Sequence, residues 1–434
     1  MFMSDWKTLE QEISSGVYDT SLAGLYAPGG EQAALEKAKE RALHVVRQFG
    51  SAFPENMEQA VLFSGPGRTE IGGNHTDHQH GHVLCGSVDL DILACAAPNG
   101  ENRIRIISEG HTPSEISLDD LSVRDEEQNS SRALARGTAA GIRDRGFSVK
   151  GFDAYMVSNV LSGSGLSSSA AFEVLLGNVF NYFFCEGALN AEEIAKIGQY
   201  AENVYFGKPC GLMDQMGSSI GGAVAIDFAD PSAPKVKKVS YDFTKSGHAL
   251  CIIDTGSCHA DLTDDYADIP REMGDVAAYF GKSFLRDVAE ETFRKAIPEL
   301  RVRCGDRAVL RAMHYYDDDG TAQKEADALE AGDFAGFLAL VRASGLSSSR
   351  HLQNVSTPAD PRQQAIPLAI ALAEKLLEGT GAVRVHGGGF AGTVQAFVPE
   401  ERLEAFRNGM DTVFGEGHCH VLHIRSRGGC VLLP

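Results

Sequence analysis

Hydrophobic residues recur every three to four positions through the first sixty residues, and this period predicts helices there. The clearest helix covers 31–48, where the apolar side chains share one side. From 61 to 97 the pattern changes to short apolar runs separated by glycines, which predicts strands joined by loops. Residues 103–107 alternate between charged and apolar side chains, as a strand with one buried face does.

The same patterns place elements along the rest of the chain. Helices are predicted at 132–145, 170–184, 191–205, 272–297, 321–343 and 362–378, and strands at 152–160, 221–228, 249–254, 382–386, 393–398 and 421–425. Residues 108–131 predict a surface excursion, and the turn-rich stretch 229–240 predicts a junction between two units, 1–228 and 229–434. Because strands and helices mix without regular βαβ spacing, the pattern favours an α+β fold.

Composition and charge narrow the class of protein. The 434 residues are 43% hydrophobic and 23% charged, which is typical of soluble globular chains with more than one domain. A net charge of −20 argues against nucleic acid or an anionic membrane as the main partner. No run approaches the roughly 18 apolar residues of a membrane span. Nine scattered cysteines without Cys-x-x-Cys, and no signal peptide, predict a cytoplasmic protein with reduced thiols.

The segment 161–172, Leu-Ser-Gly-Ser-Gly-Leu-Ser-Ser-Ser-Ala-Ala-Phe, combines glycines and hydroxyl side chains directly before a predicted helix. Glycine lets the backbone approach an anion, and the helix N-terminus presents free N–H groups to it. The segment fits neither Gly-x-x-x-x-Gly-Lys-Ser/Thr nor Gly-x-Gly-x-x-Gly, so a plain loop is the alternative to a phosphate-binding loop. The predicted nucleotide contacts are Gly163, Ser164, Gly165, Ser167, Ser168 and Ser169.

A second polar segment, 64–81, carries Arg68, Asn74, His75 and Asp77 among glycines. Loops that concentrate polar groups in this way are disproportionately functional. The arginine can clamp a phosphate or lower the pKa of a neighbouring carboxylate. Asn74 and Asp77 can exchange hydrogen bonds with sugar hydroxyls. The alternatives are a solvated polar turn and a metal site built from the histidines of the segment.

A third segment, 201–217, places Glu202 near the end of one helix and Asp214 at the start of the next. A carboxylate beside a phosphate site can hold Mg²⁺, and another can take a proton from an attacking hydroxyl. Taken alone, each residue is more typical of a surface acid or a helix cap. The predicted chemistry therefore depends on the three segments meeting in one place.

Together the three segments resemble the galactokinase branch of the GHMP small-molecule kinases, which also include homoserine and mevalonate kinases. The order and spacing of the motifs match over 61–398. The matching residues are Pro66-Gly67-Arg68 with His75-Thr76-Asp77, Gly165–Ala171, Ala201–Asn203 with Cys210–Gln215, Asp254–His259 with Tyr266, and Val385–Thr393.

The resemblance implies two α+β lobes with the active site in the cleft between them. It implies ATP-dependent phosphorylation of the anomeric hydroxyl of galactose or a close relative, with Arg68 and Asp214 as the catalytic residues. The sugar would contact Arg68, Asn74, His75, Asp77, Gly211, Asp214 and Tyr266, the serine loop would bind the ATP phosphates, and Ser169 and Glu202 would bind Mg²⁺. The implied partners are a sugar and a nucleotide, with no nucleic acid or membrane, and the oligomeric state is left open.

Departures from the family pattern bear on the substrate. The family usually reads Gly-Glu-His-Thr-Asp-Tyr where this chain has Asn74 for the glutamate and His78 for the tyrosine. The residues after Arg68 are Thr-Glu-Ile-Gly-Gly, where Val-Asn-Leu-Ile-Gly is usual. Loss of a carboxylate at 74 removes a repulsion against a negative C6 group, so galacturonate is an alternative substrate. A non-catalytic galactose sensor on the same fold is an alternative of another class.

Overall fold

The structure, a computed structural model, describes residues 5–56, 58–160, 165–208, 210–257 and 262–433. The helices are α1 Trp6–Ser14, α2 Asp19–Tyr26, α3 Gln32–Ala52, α4 Ser131–Arg143, α5 Ser168–Phe184, α6 Ala191–Tyr200, α7 Met213–Ile220, α8 Thr263–Tyr279, α9 Glu290–Arg303, α10 Asp306–Glu330, α11 Phe334–Ser347, α12 Ala365–Leu377 and α13 Leu403–Phe414. The strands are β1 Val61–Gly72, β2 His82–Pro98, β3 Arg103–Ser108, β4 Ser114–Ser117, β5 Phe152–Ser158, β6 Ala223–Asp227, β7 Lys235–Val239, β8 His248–Asp254, β9 Ala382–His386, β10 Thr393–Pro399, β11 Cys419–Leu422 and β12 Cys430–Leu433.

An eight-stranded sheet forms the larger lobe, in the order β12-β1-β2-β5-β3-β4, with β6 on β2 and β7 on β6. Side chains of successive strand residues point to opposite faces, so both faces of β1 are buried in different cores. Phe63 packs with α4, α5 and α6, whereas Leu62 packs under α1, α2 and α3. The long strand β2 pairs with β5 along one half and with β6 along the other.

A four-stranded sheet, β11-β8-β10-β9, forms the centre of the smaller lobe. Ile253 of β8 packs with α12 and α13 on one face, and Ile252 faces the other core together with α11. The two sheets meet where β1 ends. Gln395 Nε2 donates to Thr69 Oγ1 (2.7 Å) and to the Glu70 carbonyl (2.8 Å), so the end of β1 lies between the lobes.

Most predicted elements are confirmed, including the α+β class and the two-lobed architecture. The predicted helix 31–48 is α3, and the predicted strand 382–386 is β9. Asn190 caps α6 through a reciprocal pair of hydrogen bonds with Glu193. No helix in the described ranges combines the length and apolarity needed to cross a bilayer.

Four predicted segments differ in detail from the structure. The predicted helix 272–297 is two helices, α8 and α9, and 321–343 covers the end of α10 and most of α11. Gly281 and Gly332 have positive φ in the two interruptions, a conformation that ends a helix although the apolar period continues through it. The predicted excursion 108–131 contains β4, and the predicted junction 229–240 contains β7.

The division at residue 228 stays a prediction. Strands β6 and β7 pair with each other across it, and β12 returns to the larger sheet to pair with β1. The larger sheet therefore takes strands from both sides of the proposed boundary.

Helix α5 lies against β1 because residue 65 has no side chain. A Cβ at Gly65 would collide with the Ala171 carbonyl oxygen and would lie 2.8 Å from Leu175 Cβ. We expect Gly65→Ala to lower the free energy of unfolding by about 1–3 kcal/mol, the usual range for overpacking. Urea unfolding would measure the change.

Gly24→Ala is the matched control, because nothing lies within 4 Å of a Cβ at this glycine of α2. It should leave the free energy of unfolding unchanged or raise it by about 0.5–1 kcal/mol, since alanine is the better helix former. Equal stability of both variants would contradict the close packing of α5 on β1.

Candidate active site

A cavity of about 410 Å³ opens at the end of β1, in the cleft between the two sheets. Both lobes contribute to its wall, through β1, the loop after it, the start of α7, helix α8 and the glycine-rich turn between β9 and β10. The lining residues are Arg68, Glu70, His75, Asp77, His78, Lys208, Cys210, Gly211, Met213, Asp214, Leu262, Tyr266, Gly387, Gly388, Gly389 and Phe390.

Arg68, which is buried, and Asp214, which is half-buried, form an ion pair in this wall. The guanidinium contacts Asp214 Oδ1 through Nε (2.8 Å) and NH2 (2.6 Å). Burial alone would raise the pKa of the Asp214 carboxyl, but Arg68 and the Ser167 hydroxyl outweigh burial and lower it below its ordinary value. Asp214 is therefore ionised at neutral pH and can accept a proton or a hydrogen bond.

The serine loop contacts this pair directly. Arg68 NH1 donates to the Gly165 carbonyl, and the Ser167 hydroxyl hydrogen-bonds Asp214. Ser167 has φ 56° and precedes α5, whose first residue is Ser168, so the free N–H groups of the helix begin beside the pair. Of the predicted nucleotide contacts, Gly163 and Ser164 lie outside the described residues.

Ser169 and Glu202, the predicted magnesium ligands, also lie together. Ser169 Oγ donates to Glu202 Oε1 (3.1 Å), and Gln215 Nε2 donates to Glu202 Oε2 (2.8 Å). Glu202 belongs to a single π-helical turn, 201–206, that follows α6, and such turns are frequent at functional sites.

The donor set of this cluster fits Mg²⁺. Nearby, Glu173 Oε1 is buried without a hydrogen-bond partner, and burial followed by the charge of Glu202 raises the Glu173 pKa well above its ordinary value. In the described part of the chain, no three His, Cys, Asp or Glu side chains are arranged to hold a metal. Magnesium usually takes one or two carboxylates and completes its shell with substrate phosphates and water, so the Glu202 carboxylate and the Ser169 hydroxyl are a sufficient protein contribution.

Three rings line the side of the cavity that faces α8. The centroids of His75, His78 and Tyr266 lie 5.1–5.9 Å apart, and His78 Nε2 is 3.2 Å from the Tyr266 hydroxyl. His75 Nε2 donates to the Gly388 carbonyl (3.0 Å), while its Nδ1 is buried without a partner. Burial lowers the pKa of His75 to about 3, so its ring is neutral and Nδ1 is a free acceptor.

The predicted sugar contacts Asp77 and Gly211 lie against each other in the cavity wall. A Cβ at Gly211 would collide with Asp77 Oδ2, so only glycine leaves room for this carboxylate. The histidine metal alternative finds no support, because His80 stacks on Phe284 with ring centroids 3.6 Å apart and no metal-binding group exists in the described ranges.

Asn74 is the one predicted sugar contact that does not line the cavity. It is 0% exposed, and its amide donates to Glu70 Oε1 (2.9 Å) and to the Gly387 carbonyl (2.8 Å). Glu70, which the prediction omitted, lines the cavity instead. Its place two residues after Arg68 on a strand was the available signal, because such residues share a face.

Two models of known protein families match parts of this chain. The model of the GHMP kinase N-terminal domain matches residues 133–222, and the galactokinase galactose-binding signature matches residues 47–98. With the shared fold, these two matches support a galactokinase-like member of the GHMP kinases.

Solved structures show the same fold. The galactokinase of Lactococcus lactis, solved with galactose, has 22% identity and a TM-score of 0.75, covering 89% of this chain and all of that one. The Methanococcus jannaschii mevalonate kinase has 15% identity and a TM-score of 0.60, covering 84% and 98% of the two chains. A D-glycero-D-manno-heptose 1-phosphate kinase from Bacteroides thetaiotaomicron has 15% identity and a TM-score of 0.58, covering 85% and 98%.

The charge of Arg68 sets the ionisation of Asp214, and this can be tested by titration. In Arg68→Gln the main opposing charge is gone, so we expect burial to raise the Asp214 pKa above its ordinary value. Carboxyl ¹³C NMR should show Asp214 taking up its proton at a higher pH than in the wild type. The same pKa in both proteins would contradict the electrostatic role of Arg68.

The lowered pKa of Asp214 also sets how this carboxylate contributes to the free energy of unfolding as pH changes. In the wild type the folded-state pKa of Asp214 is depressed, so its contribution is present above the unfolded-state pKa and is lost as pH falls through the folded-state value. In Arg68→Gln that contribution should change sign, because a buried carboxylate without a partner destabilises the fold near neutral pH.

Proposed function

We propose that the protein transfers the γ-phosphate of ATP to the anomeric hydroxyl of galactose or of a close neutral relative. One observation carries the proposal: Arg68 hydrogen-bonds both Asp214 and the Gly165 carbonyl, so the serine loop lies directly beside the proton acceptor. Phosphoryl transfer depends mainly on positioning and charge stabilisation, and this arrangement supplies both.

Asp214 acts on the attacking hydroxyl. Its carboxylate accepts the hydrogen bond of the anomeric hydroxyl and receives or polarises the proton as the bond to phosphorus forms. Arg68 keeps that carboxylate ionised and fixes its position at the start of α7. Asp77, His75 and Tyr266 supply the polar groups along the rest of the sugar.

In this proposal the nucleotide phosphates bind at the N-terminus of α5. The backbone N–H groups and hydroxyls from Gly165 to Ser169 face the charge that develops on the phosphate. Ser169 and Glu202 would hold Mg²⁺, which neutralises phosphate charge when bound. Lys208 lies 3.4 Å from Glu202 and lines the cavity, so it adds a cation on the same side.

The charge of the cavity favours a neutral sugar over galacturonate. Residue 74 lacks the carboxylate that is usual in the family, but Glu70, four residues earlier, brings a carboxylate to the cavity wall. Asp77 and Asp214 also line the wall. Of the two cations named in the wall, Arg68 is paired with Asp214, and Lys208 lies 3.4 Å from Glu202. The loop and the acceptor are both present, which favours an enzyme over a sensor.

Turnover can be tested by an ADP-release screen over hexoses, amino sugars and uronic acids. We expect galactose or a neutral relative to give the highest rate. Asp214→Asn should lower kcat by about 10²–10⁴-fold, the usual contribution of a positioned acid or base. A wild-type protein that binds galactose without releasing ADP would instead support a sensor.

Asp306→Asn is the matched control for this variant. Asp306 is also in the first turn of a helix and is also paired with an arginine, Arg301, but both side chains are exposed. The control should keep the wild-type rate. If Asp214→Asn keeps it as well, Asp214 is not the acceptor.

The magnesium assignment predicts a separate effect. Glu202→Gln should raise the Mg²⁺ concentration for half-maximal rate at least about tenfold, an effect that even outer-shell metal partners usually show. Glu192→Gln, on the exposed side of α6, serves as the control and should leave the Mg²⁺ dependence unchanged. Identical Mg²⁺ dependence of the two variants would exclude Glu202 as a ligand.

A further inference from the structure

Glu70 lines the cavity, but the proposed reaction assigns it no contact with the sugar or the nucleotide. Its Oε1 accepts from Asn74 Nδ2 (2.9 Å) and from Arg384 NH2 (2.6 Å). Among the described residues nothing donates to its Oε2, and the side chain lies in the cavity wall with 4% of its surface exposed. One oxygen is thus fixed by the protein, and the other is left for a ligand.

Glu70 Oε2 lies apart from the Arg68–Asp214 pair that acts on the anomeric hydroxyl. Arg68 and Glu70 are two residues apart on β1 and both line the cavity, while Thr69 between them hydrogen-bonds the smaller sheet. Arg68 is bound to Asp214 and Glu70 to Arg384. A hexose held with its anomeric hydroxyl at Asp214 therefore presents a different hydroxyl to Glu70.

Asn74 holds Glu70 in place. Its amide nitrogen is used by Glu70 and Gly387, and its Oδ1 accepts from Asn354 Nδ2 (2.8 Å) and Ser348 Oγ (3.3 Å). With these contacts made and no exposed surface, Asn74 has nothing left to offer a sugar. It is a positioning residue for the carboxylate beside it.

We propose that Glu70 Oε2 accepts a hydrogen bond from a non-anomeric hydroxyl of the sugar, and that this contact selects neutral hexoses against hexuronates. The inference rests on the proposed function. A hydroxyl can donate to this oxygen, whereas a sugar carboxylate would be placed against Glu70 with Asp77 also in the wall. Burial raises the pKa of Glu70 to about 7, so a donor that stabilises the charged form has a strong effect here.

The test compares kcat/KM for galactose with kcat/KM for its 2-, 3-, 4- and 6-deoxy analogues. A site built around a substrate hydroxyl rejects the analogue that lacks it strongly. In the wild type we expect one deoxy sugar to be disfavoured by about 100-fold or more. In Glu70→Gln that ratio should fall at least about tenfold, and the ratios for the positions Glu70 does not contact should stay unchanged.

Galacturonate provides a second test of the proposal. Its rate relative to galactose should rise at least about tenfold in Glu70→Gln, because one carboxylate facing the sugar is removed. Glu325→Gln is the matched control, since Glu325 is buried beside Gly72 without lining the cavity. It should reproduce the wild-type ratios for every sugar.

A merely structural role of Glu70 would lower activity on all the sugars equally, and that result would overturn the proposal, as would unchanged ratios. Thermal unfolding shows whether Glu70→Gln is folded. If it is not, Glu70→Asp keeps the charge opposite Arg384 and withdraws the carboxylate from the cavity, with the same expected ratios. Absence of wild-type turnover on every sugar of the screen contradicts the proposed function, whereas turnover with unchanged ratios contradicts only this inference.

Discussion

The buried guanidinium of Arg68 is the interaction on which the site depends. It contacts Asp214 at the start of α7 and the Gly165 carbonyl before α5, and so joins two helices that begin at different places in the sequence. A buried charge is tolerated only with a partner, so β1, the loop and α7 must assemble together. The same contacts that satisfy the arginine bring the N-terminal end of one helix to the carboxylate of the other.

Much of this arrangement could be predicted from short segments, because each carries its physical cause locally. The serines of 165–169 directly precede an apolar helix, and that helix is α5. Asp214 lies in the first turn of α7, as its place in the third segment indicates. For these two, one stretch of chain is sufficient, whereas Gly211, which packs against Asp77, follows only from the family resemblance.

What could not be predicted depends on which face a residue takes and on partners far away in sequence. Asn74 and Glu70 are four residues apart, and both are polar, yet one is buried beneath the cavity and the other lines it. The choice is made by Arg384, Asn354 and the turn after β9, which lie about three hundred residues further on. The breaks between α8 and α9 and between α10 and α11 could not be predicted for a local reason. At each break a single glycine ends the helix, although the apolar period of the sequence continues.

The pairing of β12 with β1 has a consequence for how the molecule is made. Leu62 lies opposite Leu433, so two strands from far ends of the sequence are hydrogen-bonded neighbours. During synthesis on the ribosome, this edge of β1 stays open until the residues of β12, Cys430–Leu433, have been made. Such long-range pairing slows folding, and an unpaired edge can recruit strands from other chains. The strand that carries Arg68 is thus open to misassembly until β12 has been made, and chaperone protection is valuable at that stage.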